Sequence, residues 1–438
     1  MKKEGIDIFL KPVGDFIREE TTGGILLLVA TIIGLVWANS SWHESYEQFR
    51  HVPFAIGFGD LVISKDLHHW INDGLMAIFF FVIGLELKRE FIGGELSTWQ
   101  KAALPLAAGA GGMLIPALIF IFINKGTPYV DGWGIPMATD IAFVLGILAL
   151  LGKRIPFSLK IFLTALAIAD DLGAVLVIAL FYTSDISLMN IGIGAAVLLV
   201  MIGANLLGVR SSAFYAIMGI SGLWMAFLLS GVHATVAGVL AAFAIPARTK
   251  IDEERFVEKL RELTRDFRKA DPNDSPLITS EQLRIIGDLK EYNAAAETPL
   301  QRIEHTLHPF VAFIVMPVFA LANAGFPINT ESLSFLLNPL TIGVFLGLVA
   351  GKFIGIAGMT RLMVGLGFAK LPENTTWRHI YGVALLGGVG FTMSLFITEL
   401  AFADPQYAQQ AKLGTLIASL VAGVGGYLLL RKNAPPDG

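Results

Sequence analysis

Two adjacent carboxylates, Asp170 and Asp171, stand in the middle of the apolar run ALAIADDLGAV, residues 165–175. An ionisable side chain inside a membrane span costs about 3 kcal/mol, so it normally faces a water-filled cavity on an ion path. Two neighbouring carboxylates repel each other when both are charged, so the pair holds a proton readily and releases it when a cation arrives. Their oxygens suit a hard cation such as Na+ or Li+. We therefore predict a site that holds either protons or a metal cation; an acid pair satisfied by hydrogen bonds alone is the alternative.

One lysine, Lys352, lies in the middle of the apolar segment LGLVAGKFIGIAG, residues 346–358. A lysine at this depth needs a carboxylate partner or must give up its charge, and Asp170 and Asp171 are the candidate partners. Snorkelling of the long side chain to the membrane surface is the alternative. Because apolar residues extend far on both sides of Lys352, we predict that it shares the site with the aspartates.

Two apolar segments are interrupted where a helix would have to unwind. The fourth span, GWGIPMATDIAFVLGILALL (132–151), is short and places Thr139 and Asp140 at its interruption, and the eleventh, VALLGGVGFTMSLFI (383–397), has three glycines at its centre. Broken spans at corresponding places in two halves of a chain indicate a transporter with its site at the breaks. The half-helix ends carry partial charges, which Asp140 and Lys352 could neutralise. The glycines could instead serve helix packing alone.

The composition is typical of a membrane protein. The chain has 438 residues, of which 54% are hydrophobic and 16% are charged, and its mean hydropathy is +0.66. It contains no cysteine, which excludes disulfides, thiolate catalysis and sulfur-ligated metals. A formal net charge of -4 gives no reason to expect nucleic acid as a partner. We expect a multi-pass protein of the cell inner (plasma) membrane, surrounded by lipid, with no cofactor and no enzymatic activity.

Twelve apolar runs are long enough to cross a bilayer, which takes about 20 residues. They lie near residues 22–40, 70–88, 100–124, 134–151, 157–181, 187–208, 212–228, 230–247, 306–326, 338–361, 376–400 and 409–430. With the long segment 248–305 set aside, alternate connecting segments carry 16 and 4 Lys and Arg residues. Positive residues favour the cytoplasmic side, so both termini are predicted to be cytoplasmic. The predicted parts are a cytoplasmic N-terminal amphipathic segment (1–21), spans one to eight (22–247), a cytoplasmic charged helical loop (248–305), spans nine to twelve (306–430) and a cytoplasmic tail (431–438).

Two polar loops stand out between the spans. Residues 41–69 contain FAIGFGDLVI, two strand-forming runs around a turn, which predicts a small periplasmic β-hairpin at about 53–65. A hairpin edge could pair with a second copy and make a homodimer, or the ribbon could pack on its own chain. The segment 248–305 contains two mixed-charge amphipathic helices, which are either solvated or a regulatory surface.

These segments resemble those of the NhaA sodium/proton antiporter family over nearly the whole chain. The similar motifs are GLELKREFIGGEL (84–96), PMATDIAFVLGIL (136–148), LAIADDLGAV (166–175), SGVHATVAGV (230–239), LHPFVAFIVMPVFALANAG (307–325) and GGVGFTMSLFI (387–397). The resemblance implies an all-α membrane fold of twelve transmembrane helices, with inverted-topology repeats at spans three to five and ten to twelve and with spans four and eleven broken. It also implies an electrogenic, pH-regulated exchange of external protons for internal Na+ or Li+ by alternating access, and dimerisation through the hairpin.

The resemblance also assigns roles to single residues. Asp170 and Asp171 would carry the cation and the protons, Lys352 would be the partner of Asp170, and Thr139 and Asp140 would lie where the broken helices cross. A pH-responsive region is implied at Glu86, Arg89, Glu90, Glu304, His305 and His308, and His233 is also linked to pH response. Without the resemblance, a charged run at a helix end is ordinary interfacial anchoring and a lone histidine is an ordinary buried side chain. The segment before LHPF is longer than the family's usual connection, so its pH regulation would differ.

A proton-only channel and an intramembrane aspartyl protease are the competing interpretations. The motif GFGD at 57–60 matches the GxGD pattern of such proteases, but Asp60 lies in the polar hairpin and not on a span that faces a second acid. A protease would also have no use for Lys352. A basic residue beside the acids and a pair of broken helices favour alternating access over a channel.

Overall fold

The chain folds into a helical bundle with one small sheet. The computed structural model describes residues 20–58, 61–152, 155–183, 186–270, 277–328 and 330–433. The predicted N-terminal segment at 1–21 and the predicted tail at 431–438 therefore lie mostly outside the described residues.

Short connections join most of the helices. In chain order the elements are α1 (Glu20–Ala38), α2 (His43–Arg50), β1 (Pro53–Phe58), β2 (Leu61–Asp66), α3 (Leu67–Gly93), α4 (Trp99–Asn124), the 3-10 helix α5 (Val130–Met137), α6 (Ile141–Leu150), α7 (Phe157–Phe181), α8 (Leu188–Leu206), α9 (Ser212–Leu228), α10 (Ala234–Ala244), α11 (Glu253–Lys269), α12 (Ser280–Ala296), α13 (Pro299–Ala324), α14 (Thr330–Phe335), α15 (Pro339–Gly365), α16 (Trp377–Leu386), α17 (Phe391–Ala401) and α18 (Pro405–Asn433).

Eight helical units of the described residues are long and apolar enough to cross a membrane: α3, α4, α5 with α6, α7, α8, α13, α15 and α18. Two further pairs meet the same test as bent units, α1 with α2 at 116° and α16 with α17 at 41°. The helices α9 and α10 are apolar but shorter. Every predicted span thus falls on a helix or a broken helix, while the count of twelve crossings stays a prediction.

The predicted hairpin is confirmed as a two-stranded antiparallel sheet. Its register pairs Pro53 with Asp66 and Phe58 with Leu61, and residues 59–60 at its tip lie outside the described part of the chain. At its base, Asp66 caps α3 by accepting a hydrogen bond from the His69 amide at 2.9 Å. Partial burial raises the pKa of Asp66, but hydrogen bonds from the His69 amide and from the His69 and His51 rings outweigh it and hold the pKa well below the usual range. We call the end of the bundle that carries residues 53–66 the hairpin face.

Three elements differ from the sequence prediction. The helix α2 was not predicted because its residues, HESYEQFR, are mostly polar, and the short helix α14 was not predicted either. The ninth predicted span begins at Pro299 instead of 306, because the Thr298 hydroxyl caps the helix by accepting from the Gln301 amide at 3.1 Å. The amphipathic helices expected within 248–305 are α11 and α12, and they pack against each other through Leu263 and Ile285.

Glycines bring α4 into close contact with α7 on one side and α15 on the other. A Cβ atom placed on Gly355 of α15 would overlap the Gly111 carbonyl oxygen of α4. On the other side, a Cβ atom on Gly109 of α4 would lie 3.1 Å from the Ala169 Cβ atom of α7. Side chains larger than hydrogen at these positions would separate the helices. This packing brings α15, which carries Lys352, close to α7, which carries the two aspartates.

Candidate ion-binding site

The interruptions of the fourth and eleventh predicted spans cross each other inside the bundle. The first lies between α5 and α6, and the second lies between α16 and α17. The backbone N–H of Asp140 donates to the Val389 carbonyl at 2.7 Å, and the Thr139 hydroxyl donates to the Gly387 carbonyl at 2.9 Å. Backbone groups that a continuous helix would have satisfied are therefore paired across the two breaks.

One carboxylate, that of Asp140, caps both half-helices that begin at the crossing. Its Oδ1 atom accepts from the Phe143 amide of α6 at 3.1 Å. Its Oδ2 atom accepts from the Thr392 amide of α17 at 2.9 Å and from the Thr392 hydroxyl at 2.5 Å. Helix N-termini carry partial positive charge, and Asp140 places one negative charge between two of them. Asp140 is 1% exposed, so water does not screen this interaction.

The second group at the crossing joins Asp170, Thr139 and Lys352. The Oδ2 atom of Asp170 lies 2.7 Å from the Thr139 hydroxyl oxygen, whose single hydrogen is shared between this carboxylate and the Gly387 carbonyl. The same Oδ2 atom forms an ion pair with the Lys352 ammonium group. All three side chains are completely buried. Of the two aspartates that the sequence offered to Lys352, the structure places Asp170 against it. Because Thr139 also bonds Gly387, this group is tied to the crossing itself.

The carboxylate of Asp171 has a different environment. Among the described residues neither of its oxygens has a hydrogen-bond partner, and the Oδ1 atom of Asp170 has none either. Asp171 is 0% exposed. Buried carboxylate oxygens without a donor are rare, and each such group calls for a bound proton, ion or water. These oxygens are therefore suited to a proton or a small cation.

Three other acids act on the carboxylate of Asp171. The negative charges of Asp170, Asp140 and Glu86 act on Asp171. Within the described part of the chain, no group of three or more His, Asp or Glu side chains has metal-binding geometry. A cation beside Asp171 would therefore complete its coordination with hydroxyl, carbonyl or water oxygens, as hard monovalent cations accept.

Most of the sequence-predicted pH-response residues lie between α3 and α13. Arg89 forms an ion pair with Glu304 and a second one with Glu90 at 3.1 Å. The His308 ring lies 3.9 Å from the Glu86 carboxylate. The remaining member, His305, is exposed on α13 next to Glu304. These contacts link the two helices at the end of α3 that lies away from the hairpin.

The other predicted pH-response residue, His233, is separate from this group. Its ring lies 3.8 Å from the Asp73 carboxylate and 3.1 Å from the Thr235 hydroxyl. Asp73 precedes Glu86 by about 13 residues on α3, which corresponds to about 20 Å along a helix. The structure therefore divides the predicted set into two places near opposite ends of α3.

Sequence reasoning missed Thr392, which supplies two of the three donors to Asp140. The signal was present in the sequence, because Thr392 follows the glycines of GGVGFT and stands two residues into the half-helix. It also missed Lys88, whose ammonium group donates to the Phe243 carbonyl at 2.7 Å and also to the Ile245 carbonyl, at the C-terminal end of α10. Threonine and lysine near helix ends are common, so neither stood out.

Apolar helices of spanning length, two crossed helix breaks and a buried acid pair beside a lysine define the class of a membrane ion transporter. The sequence model of the family described as Na+/H+ antiporter 1 matches residues 14–430. The chain belongs to this family, and it is a transporter and not an enzyme. It is therefore a multi-pass membrane protein.

Several curated proteins are similar to the chain over nearly its whole length. The Na(+)/H(+) antiporter NhaA of Oleidesulfovibrio alaskensis is 50% identical over 97% of this chain and 95% of its own. The Na(+)/H(+) antiporter NhaA 1 of Saccharophagus degradans is 48% identical over 97% of this chain and 92% of its own. The Na(+)/H(+) antiporter NhaA of Acidithiobacillus ferrooxidans is 50% identical over 96% of this chain and 97% of its own. Together with the family match, this similarity bears out the resemblance seen in the sequence.

Proposed function

We propose that the chain exchanges external protons for internal Na+ or Li+ at the Asp170 and Asp171 pair by alternating access. The observation that carries this proposal is the contrast within the pair. Asp170 is held by Lys352 and Thr139, whereas both oxygens of Asp171 are buried and have no hydrogen-bond partner in the described part of the chain. In this arrangement Lys352 compensates the charge of Asp170, whereas Asp171 has room for a proton or a cation and no ion-pair partner among the described residues when it is left empty and charged.

The exchange follows from competition for the same oxygens. In the proton-loaded state Asp171 and Asp170 each carry one proton and the ion pair between Asp170 and Lys352 is broken. A cation that reaches Asp171 and the open oxygen of Asp170 favours the charged carboxylates, restores that ion pair and displaces both protons. When the site opens to the other side, protons return and the cation leaves. Two protons exchanged for one monovalent cation would move net charge, so the transport would be electrogenic. Na+, Li+ and H+ are cargo in this scheme, which requires no resident cofactor.

The crossing of broken helices supports the alternating-access part of the proposal. Asp140 neutralises two half-helix N-termini at one point, and Thr139 satisfies the end of α16. A site at such a crossing needs only small movements of the half-helices to change the side from which it is reached. We propose twelve crossings, with inverted repeats formed by α4 to α7 and by α15 to α18, because each of these groups contains one broken span between two long ones.

We further propose that both termini are cytoplasmic and that the hairpin face is the outer face of a cell inner membrane. The excess of Lys and Arg in alternate segments supports this orientation. The hairpin edges are free to pair with a second copy, since the only strand pairing among the described residues is between β1 and β2. We propose a homodimer joined there.

Regulation by pH is proposed for the charged contacts between α3 and α13. The Arg89 and Glu304 ion pair and the His308 and Glu86 contact connect these helices. Because the charge of Glu86 acts on Asp171, a change of protonation at the contact between Glu86 and His308 would alter the electrostatic potential at the site. The proposal extends to His305 as a neighbour of Glu304 and, at a separate place, to His233.

Purified protein in liposomes with an imposed pH gradient tests the exchange. Addition of Na+ or Li+ should collapse the gradient, and Asp171→Asn should abolish this effect, because one of the two competing carboxylates is lost. Asp131→Asn, at an exposed acid outside the site, is the matched control and should behave like the wild type. Proton movement that does not depend on added cation would contradict exchange and would support a proton channel.

A further inference from the structure

A buried polar cluster lies at the hairpin face, away from the Asp170 site and from the pH-response residues between α3 and α13. It shares this end of α3 with His233, whose ring contacts Asp73 and packs against Phe396 of α17. Its members come from five different helices: Arg50 of α2, His68 and Asn72 of α3, Asn323 of α13, Glu399 of α17 and Lys412 of α18. His68 is 9% exposed, Asn323 is 0% exposed and Lys412 is 4% exposed. Buried charge clusters are weak devices for stability because desolvation opposes them, so this one calls for another explanation.

One ring nitrogen in the cluster has partners of opposite kinds. The Nε2 atom of His68 lies 3.1 Å from the Arg50 guanidinium and 3.2 Å from the Asn72 amide nitrogen, both of which are donors. The same atom lies 2.9 Å from the Asn323 amide oxygen and 3.7 Å from the Glu399 carboxylate, both of which are acceptors. An imidazole nitrogen accepts when it carries no hydrogen and donates when it carries one. It cannot serve both sets at once.

The protonation state of His68 therefore selects between two sets of contacts. A bare Nε2 atom accepts from Arg50 and Asn72, whereas an Nε2–H group donates to Asn323. Only the ring that is protonated on both nitrogens also brings a positive charge to Glu399, because the neutral Nε2–H tautomer has none. The fixed charges around the ring act in both directions. The charges of Arg50 and Lys412 oppose a positive ring, and the charge of Glu399 favours it. Glu47 partly neutralises Arg50 through an ion pair in which the guanidinium nitrogen and the carboxylate oxygen are 3.3 Å apart.

Glu399 links the protonation state of His68 to the ion site. It lies seven residues after Thr392 on α17, which places both on one face of the helix, two turns or about 10 Å apart. Thr392 binds Asp140 at the crossing. At the far end, Glu399 is held by the Lys412 ammonium group at 2.6 Å. A helix of eleven residues that is fixed at both ends transmits a change at one end to the other.

We propose that His68 is a proton-binding site on the hairpin face, and that its protonated form holds the outer end of α17 through Glu399. External acid would thus tighten the half of the broken span that leads from the ion site to the outer surface. The assignment of this face as external rests on the proposed function. The proton site itself rests only on the contacts of His68.

Hydrogen–deuterium exchange of the purified full-length chain tests the proposal without relying on transport. Amides of residues 396–402, corrected for the chemical exchange rate, should exchange about tenfold more slowly as the pH falls from about 7.5 to about 3.5. In His68→Gln, which keeps hydrogen-bonding capacity but cannot titrate, this step should be absent. His69→Gln is the matched control, because that neighbouring ring is 54% exposed and bonds Asp66 instead.

A step of the same size in His68→Gln would overturn the proposal, and so would loss of the step in His69→Gln. Glu399→Gln provides a second variant should His68→Gln fail to fold, and it should reduce the step because the charged acceptor is gone. An unchanged step in Glu399→Gln would also overturn the proposal. Repeating the measurement in Asp171→Asn separates it from the proposed function: the step should persist there although exchange is abolished, and its disappearance would contradict a site that stands on its own contacts.

Discussion

Replacement of Asp140 by asparagine is the most informative perturbation of the helix crossing. The wild-type carboxylate accepts three hydrogen bonds, one from Phe143 on α6 and two from Thr392 on α17. Asparagine has nearly the same shape but keeps one acceptor oxygen and turns an NH2 group toward a donor. It also removes the charge that faces two helix N-termini.

The size of the effect follows from these contacts. A hydrogen bond to a charged group contributes about 1.5–3 kcal/mol, and a charge at a helix N-terminus contributes up to about 2 kcal/mol where it is partly buried. The two contributions overlap at Asp140, so Asp140→Asn should lower the free energy of unfolding by about 2–4 kcal/mol. Thr392→Val removes only the hydroxyl donor and should cost about 1–2 kcal/mol.

Thermal unfolding in detergent compares these variants. Thr398→Val is the matched control, since this threonine is also completely buried on α17 but its hydroxyl bonds the Ser394 carbonyl within the same helix. The melting temperature should be lowest for Asp140→Asn, intermediate for Thr392→Val and close to the wild type for Thr398→Val. If Asp140→Asn had the same melting temperature as Thr398→Val, the carboxylate would not hold the two half-helices together and the reasoning would fail.

Three further predictions use other contacts of the described residues. Asp171→Asn should leave the melting temperature unchanged or raised, because its oxygens have no partner among the residues that the structure describes. Asp170→Asn should lower the free energy of unfolding by about 3–5 kcal/mol, because it leaves the lysine buried and unpaired; equal melting temperatures would refute this contrast. Arg89→Gln breaks an ion pair between α3 and α13 and should shift the pH of half-maximal exchange in liposomes, while Arg255→Gln, 79% exposed on α11, should not. Since the pKa of Asp66 is lowered in the fold, its stabilising effect is complete above its unfolded pKa of about 4 and is lost as the pH falls below that value. Hydrogen exchange in residues 53–58 and 61–66, corrected for the chemical exchange rate, should therefore accelerate in acid, and Asp66→Asn should show the fast corrected exchange at every pH.

The apolar runs and the hairpin could be predicted from the sequence because each is a local pattern. A run of about 20 apolar residues and two strand-forming runs around a turn depend only on neighbouring residues. The helix α2 escaped prediction because HESYEQFR has no apolar run and gains its structure from contacts made elsewhere. One such contact is the Tyr46 hydroxyl, which bonds the Leu321 carbonyl at 2.9 Å, far along the chain.

The core of the candidate site was also visible in the sequence. Asp170, Asp171, Asp140 and Lys352 are ionisable groups within apolar runs, and that contrast alone marks them. The choice of Asp170 as the partner of the lysine could not be derived from the residues, because it depends on the close packing of α4 against α7 and α15.

The cluster around His68, by contrast, could not be predicted from the sequence. Its charged members lie near the ends of spans, where charge is ordinary and carries no signal. The conflict at the ring nitrogen arises from Asn323, 255 positions away in the chain, and from Glu399. Only the packed helices bring these groups together.

The release of protons on cation binding tests the central claim most directly. Purified protein in weakly buffered detergent solution would receive NaCl, with choline chloride as the control, while a pH indicator and calorimetry record protons released and Na+ bound. We predict that Na+ binding releases protons, that its affinity falls about tenfold to a hundredfold for each unit of pH decrease, and that Asp171→Asn loses both effects. Na+ binding with undiminished affinity in acid and without proton release would contradict the competition on which the exchange depends.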